Sequence, residues 1–394
     1  MKFSSPKIIL IISSLTFLCF GIYNAGLGPV LYELANQTGS NLSAIGVIFT
    51  AIYSGSIFAQ IASGWLTDRF GRRSVMIVSI LLMATGILGF INSRSLMTLV
   101  SFSFLTGLGQ GGVDMVANII VAAAYPKNNL AALNILHLCF GVGASIGPAL
   151  VSLALSVFNK GLVVLWGAGV FFLILSGLFF LIRIPPIDLQ IENEVTSLEH
   201  KTQRSIFLNP LVWVLGGMLS LVVGTQFGLG SWSTQYIIKT TNLNIATASM
   251  ITSGFWVFIT LGRIAAASAS KLINRSNMLL LSLVGSLIGC GFLMLTNRWE
   301  TGTVISLWFL SFFFGGMYPL LVSITTALFQ KDTAKACSIV IAMGTVGGLT
   351  LPWLAGSVLE NVGAIAYLFL ISSFIASLLL LRFLVTKYES LKIT

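Results

Sequence analysis

A single carboxylate stands within a long apolar stretch of the sequence. Asp114 is the only charged residue between Leu96 and Tyr125, and Asn118 follows it by four residues. In a helix this spacing places both side chains on one face. A carboxylate that binds and releases a proton, beside an amide that hydrogen-bonds a solute, would suit proton-coupled transport. The alternative is a carboxyl group that only bonds a neighbouring helix.

The sequence offers no residue set for enzymatic or metal chemistry. Its two histidines are His137 and His200, and its four cysteines have neither metal-binding nor disulfide spacing. An enzyme would need a nucleophile with a base, and a primary pump would need a phosphate-binding loop. We therefore disfavour a membrane-embedded enzyme and expect no metal and no cofactor. His137 would relay protons or pack against its neighbours.

The composition predicts the elements that position these residues. Hydrophobic residues make up 56% of the chain and charged residues 8%, with a mean hydropathy of +0.97. The apolar residues form blocks of about 20 or more, long enough to cross a bilayer as helices. Twelve blocks predict an all-α membrane protein with spans at roughly 8–32, 43–67, 74–92, 96–125, 130–157, 161–182, 207–236, 244–270, 277–296, 302–329, 335–358 and 363–386.

Lysine and arginine predict the orientation of these spans. With both termini in the cytoplasm, only Arg94, Lys160, Lys239 and Arg298 fall on the opposite side. The net charge of +10 then reports topology, and we expect no nucleic acid as partner. Arg263, inside the eighth block, is expected to reach the membrane surface or to form a structural pair. Compact loops and short tails indicate a bacterial cytoplasmic (inner) membrane, where we expect a monomer.

A polar segment divides the chain into two similar halves. We predict an N-terminal bundle at 1–183, a cytoplasmic linker at 184–206 and a C-terminal bundle at 207–394. The segment NAGLG at 24–28 reappears as QFGLG at 226–230, an offset of 202 residues (226 − 24). Such repeats are typical of transporters that bind substrate between two bundles. The amides of Asn24 and Gln226 would bind substrate, or would only bridge helices.

The loop after the second predicted span carries a recognisable motif. GWLTDRFGRR at 64–73 resembles the G-x-L-x-D-R-x-G-R-R pattern that the major facilitator superfamily has at this place. The resemblance implies twelve transmembrane helices in two six-helix bundles. It also implies that the loop is a conformational latch, in which Gly64 permits close helix approach. The latch residues are Gly64, Asp68, Arg69, Gly71, Arg72 and Arg73.

A finer resemblance lies in the fourth and fifth spans. GLGQGGVDMVAN followed by LNILHLCFGVGASIGP is similar to the fucose–proton symporter family, especially its bacterial glucose and mannose permease-like members. The resemblance implies that Asp114 couples transport to protons and that Asn118 and His137 contact sugar or proton. The chain departs from the family in having no acid in its apolar first span. It also has Gln226 where members often have glutamate.

These observations lead to a functional hypothesis. The protein is expected to move a small polar solute, a sugar, across the membrane with protons coupled through Asp114. Trp232, Trp256 and Tyr318 would stack on a sugar ring with their flat faces, or would only pack within the membrane. The main alternative is proton-coupled efflux of drug-like or amphipathic compounds.

Overall fold

The computed structural model describes residues 5–126, 128–184, 206–270, 272–330 and 332–393. Within these residues the chain is helical, and twelve helical segments are long and apolar enough to cross a membrane. This number agrees with the twelve predicted blocks and confirms the all-α membrane class. The predicted linker at 184–206 lies outside the described residues except at its two ends, so the bundle boundaries stay a prediction.

The described residues form two compact units. The first contains the residues before 185 together with Gly230–Lys239 and Leu243–Val257. A 3₁₀ turn at Gly28–Val30 leads into its second helix. Its helices before residue 185 are α1 (Pro6–Gly26), α2 (Leu31–Thr38), α3 (Leu42–Ile45), α4 (Val47–Phe70), α5 (Arg72–Ile91), α6 (Leu96–Ala124), α7 (Asn129–Phe158) and α8 (Leu162–Leu181).

The second unit contains residues 206–229, 240–242 and 258–393. The helices that follow residue 206 are α9 (Pro210–Thr240), α10 (Ile245–Ala269), α11 (Arg275–Leu295), α12 (Glu300–Gly315), α13 (Met317–Leu328), α14 (Thr333–Asn361) and α15 (Ala364–Ile393). Helices α9 and α10 contribute residues to both units.

The tenth predicted block is not one continuous helix. It breaks between α12, which ends at Gly315, and α13, which begins at Met317. Pro319 lies four residues after Gly315 and has no N–H to donate to the Gly315 carbonyl oxygen. The missing hydrogen bond accounts for the break, which the apolar pattern alone did not predict.

The short helix α2 was not predicted either, and it joins two spans of the first unit. The Glu33 carboxylate accepts hydrogen bonds from the backbone N–H groups of Gly161, at 2.9 Å, and Leu162, at 3.1 Å. These groups begin α8, where a negative charge is favoured. Gln37 Nε2 donates to the Ile91 carbonyl oxygen at 2.9 Å, at the end of α5. Helix α2 therefore caps two helix ends at once.

The long helices of the first unit pack through glycines. A Cβ atom on Gly107 of α6 would overlap the carbonyl oxygen of Ile52 in α4. One on Gly143 of α7 would overlap the carbonyl oxygen of Leu18 in α1. Glycine allows this approach, and the resulting van der Waals contact is what holds helices together in lipid.

The second unit repeats both contacts. Gly315 of α12 faces the carbonyl oxygen of Ile259 in α10, and Gly347 of α14 faces that of Ser220 in α9. Gly107 and Gly315 are 208 residues apart (315 − 107), and Gly143 and Gly347 are 204 apart (347 − 143). The two units are thus built on the same helix contacts, in agreement with the repeat that the sequence indicates.

The contact at Gly347 predicts a stability difference between two glycines. We expect Gly347→Ala to lower the free energy of unfolding by about 1–3 kcal/mol, because the added methyl group meets backbone that cannot move aside. Gly217→Ala is the matched control, since a Cβ atom there would have no neighbour within 4 Å. Thermal unfolding of the detergent-purified variants measures the difference. Equal unfolding temperatures would contradict this packing.

Candidate functional site

Three polar side chains form a stripe along one face of α6. Gln110, Asp114 and Asn118 follow one another at intervals of four residues, so that they lie one above the other on the helix. Gln110 is buried, whereas Asp114 and Asn118 are half-buried. The sequence pointed to Asp114 and Asn118. Gln110 was missed, although its spacing from Asp114 was a usable signal.

Asn118 connects this polar stripe to the neighbouring helix α7. Its Nδ2 atom donates to the backbone carbonyl oxygen of Asp114 at 2.6 Å. Its Oδ1 atom lies 3.2 Å from His137 Nε2. The ring of His137 also packs edge-on against Phe17, with centroids 5.5 Å apart. The structure therefore brings Asn118 and His137 together. In the described chain no hydrogen bond joins the Asp114 carboxylate to His137.

Asn24 of α1 reaches the other end of the polar stripe. Its Nδ2 atom lies 3.3 Å from the Phe20 carbonyl oxygen and 3.5 Å from Gln110 Oε1. The second contact is at the long limit of a hydrogen bond, and a solute hydroxyl would compete with it readily. Asn24 is half-buried, so its amide remains partly accessible.

Two tyrosines that the sequence did not single out belong to the same cluster. Tyr53 of α4 interacts electrostatically with Asp114 and with Tyr23 of α1. Tyr23 lies beside Thr106 of α6. Both phenol groups are buried, at 1% exposure for Tyr23 and 7% for Tyr53. Tyrosines inside apolar blocks resemble packing residues, and only the fold shows that Tyr53 interacts with the carboxylate and Tyr23 with Tyr53.

The remaining predicted substrate residues lie in α9, α10 and α13. Gln226 and Tyr318 belong to the second unit, where Gln226 is buried. Trp232 belongs to the first unit and is buried edge-on against Phe49, with centroids 6.2 Å apart. Trp256 is buried in the same unit. The burial of the two tryptophans agrees with the alternative that they pack within the membrane. Substrate binding by any of these residues stays a prediction.

The predicted latch residues lie at the junction of α4 and α5. Gly71 ends α4 with a φ of 78°, a conformation that favours glycine. Asp68 is exposed, and the Arg69 guanidinium lies over the Trp65 ring at 5.3 Å. The expected close approach at Gly64 is not seen within the described part of the chain, where a Cβ atom on Gly64 would meet nothing within 4 Å. Gly64 instead lies on an exposed face of α4.

Two arginines of the latch begin α5 and are half-buried. Arg72 is the first residue of the helix. Arg73 Nε donates to the Phe179 carbonyl oxygen at 3.2 Å, and its Nη2 donates to that of Phe180. These carbonyl groups end α8, where a positive charge is favoured. Arg73 thus fastens α5 to α8, a structural role that the motif alone did not reveal.

Comparisons with known proteins agree with this architecture. A family model described as Major Facilitator Superfamily matches residues 12–244 and 221–393. The chain is 21% identical to a TsgA homolog of Buchnera aphidicola, over 92% of this chain and 91% of that protein. It is 21% identical to sodium-dependent glucose transporter 1A of Mus musculus, over 86% and 87%. The crystal structure of a D-xylose–proton symporter superimposes with a TM-score of 0.81 at 16% identity, over 95% and 97%.

These matches confirm the predicted superfamily and the prediction of a transporter instead of an enzyme. They also confirm a multi-pass membrane protein. The chain belongs to the Major Facilitator Superfamily.

Proposed function

We propose that the protein is a secondary active transporter that moves a sugar-like solute by alternating access, with proton coupling through Asp114. The observation that carries this proposal is the polar stripe itself. Asp114 is a half-buried carboxylate within a membrane span, next to amides one turn away on either side. An ionisable group at such a depth is functional by default, because lipid disfavours its charge.

The surroundings of Asp114 suit reversible proton binding. Among the described residues its carboxylate takes part in no ion pair, so no fixed cation holds it in the charged state. Its charge interacts with Tyr53, a phenol that offers a hydroxyl hydrogen. Asn118 links the same turn of α6 to His137. Protonation of Asp114 would therefore change its interaction with Tyr53 of α4 and, through Asn118, the environment of His137 of α7.

The names of similar proteins support a sugar as the solute. One relative is described as a sodium-dependent glucose transporter and one similar structure as a D-xylose–proton symporter. The two differ in the coupling ion, so the proton rests on Asp114 and not on the relatives. The distribution of lysine and arginine supports both termini in the cytoplasm. Compact loops support a bacterial inner membrane, in which the proposed transporter is a monomer.

The central test is neutralisation of Asp114. We expect Asp114→Asn to abolish accumulation of sugar in proteoliposomes under an imposed pH gradient, because the amide cannot carry the proton. Exchange of sugar between equal concentrations needs no net proton movement and should continue. Asp114→Glu keeps a titrating group and should retain part of the accumulation. Normal accumulation by Asp114→Asn would remove Asp114 from the coupling mechanism.

A second prediction separates substrate binding from helix bonding at Asn24. We expect Asn24→Leu to weaken sugar binding by about 2- to 10-fold, the contribution of one neutral hydrogen bond. Asn92→Leu is the matched control, because Asn92 makes the same kind of local bond, to the Leu88 carbonyl oxygen at 2.7 Å, at the exposed end of α5. Equilibrium binding by tryptophan fluorescence compares the two. Equal affinities would leave Asn24 as a bridge between helices.

A third prediction concerns the latch. Asp68→Asn should lower the maximal transport rate, because the predicted latch acts on conformational change and not on binding. The change in Kd should stay below about 3-fold, the effect of one exposed charge. Asp332→Asn, which removes a carboxylate paired with Lys335 at 3.9 Å, serves as the control with a normal rate. A large loss of affinity at a normal rate would argue against a latch.

A further inference from the structure

Arg263 is a cation inside a membrane span. It is the only charged residue of α10 and lies six residues before the helix ends at Ala269 (269 − 263). From the sequence it was expected to reach the membrane surface or to pair. Its Nε–H group is enclosed and finds no hydrogen-bond acceptor among the described residues. Its charge interacts with the Tyr318 side chain of α13.

The glycine contacts fix the depth of Arg263. Gly55 of α4 and Gly262 of α10 are equivalent, because a Cβ atom on either would overlap a phenylalanine carbonyl oxygen of the adjacent helix, that of Phe104 and Phe312 respectively. Arg263 directly follows Gly262. Its backbone therefore lies next to the close contact between α10 and α12, and not at a helix end.

The same register identifies the counterpart of Tyr318 in the first unit. Gly107 and Gly315 are equivalent positions, as shown above, and three residues later stand Gln110 and Tyr318. Gln110 begins the polar stripe of α6. Arg263 and Tyr318 thus stand at the level in the second half that polar side chains occupy in the first half.

No described carboxylate of the second half serves as a counter-charge for Arg263. The carboxylates whose side chains are described there are Glu300, Asp332 and Glu360, and all three lie at helix ends. None of them forms an ion pair with Arg263. A half-buried cation within a membrane span is costly without a counter-charge. An anionic solute would supply that counter-charge.

We propose that Arg263 and Tyr318 bind a carboxylate of the transported solute, so that the substrate is an acidic sugar. This inference rests on the proposed function, whose substrate class it narrows. A guanidinium group presents two parallel donors that match the two oxygens of a carboxylate. The Tyr318 hydroxyl adds a third donor.

Counting charges explains why such a solute would move with a proton. Among the described residues away from the ends of the spans, the empty carrier holds one negative charge, at Asp114, and one positive charge, at Arg263, which sum to zero. With a proton on Asp114 and a carboxylate on Arg263, the sum is again zero. With either ligand alone, one charge is uncompensated, which disfavours reorientation in lipid. One proton and one anion would therefore cross together, without net movement of charge.

The test compares D-glucuronate with D-glucose, which differ in a carboxylate at one carbon. We expect the purified protein to bind glucuronate at least about 10-fold more tightly, the contribution of a charge-assisted hydrogen bond. Arg263→Gln should remove the preference. Arg298→Gln, which removes an exposed arginine between α11 and α12, should keep it. If Arg263→Gln fails to fold, Tyr318→Phe provides a second test. This variant loses only a hydroxyl group and should reduce the preference for glucuronate.

Transport by the unmodified protein provides an independent test of the acidic substrate and of the charge balance. In proteoliposomes a pH gradient should drive accumulation of glucuronate, and a potassium diffusion potential without a pH gradient should not. Binding or accumulation of glucose in preference to glucuronate would overturn the acidic-sugar proposal and leave the proposed function intact. Accumulation driven by the potential alone would overturn the charge balance. Failure of both sugars to bind would overturn both proposals.

Discussion

The structure depends on glycine contacts that let one helix backbone touch the next. In lipid, apolar side chains gain little by leaving their surroundings, so close packing must hold the helices together. Gly107 and Gly143 supply such contacts in the first unit, and Gly315 and Gly347 supply them in the second. Because these contacts use backbone atoms, the side chains on the remaining faces are free to differ. The polar stripe of the first unit and Arg263 of the second unit are examples of such differences.

The polar groups of the two units complement each other in charge. The first unit holds a carboxylate with phenol and amide neighbours, and the second holds a guanidinium group with a phenol neighbour. Each would be costly alone in an apolar medium. In the proposed mechanism their opposite signs make the total charge the same whether both ligands are present or both are absent.

The sequence predicted well whatever depends on composition and poorly whatever depends on three-dimensional contact. Twelve spans follow from apolar length, and the prediction holds in the structure. The region of Asp114 was evident because a charge in an apolar block is conspicuous. Tyr53 was not, since an aromatic residue there is ordinary. The break before Pro319 required knowledge of which carbonyl oxygen loses its donor. The close approach expected at Gly64 failed, because the motif does not state which helix face is covered.

The cap formed by α2 has a consequence for the order in which the protein is made. Glu33 finds its partners at Gly161 and Leu162, 128 and 129 residues later in the chain. At a synthesis rate of about 5–20 residues per second, this delay is roughly 6–26 seconds. Gln37, in contrast, finds its partner at Ile91, only 54 residues later. The end of α2 that carries Gln37 can therefore be bonded once the third span is made, whereas the end that carries Glu33 gains its partners only with the sixth.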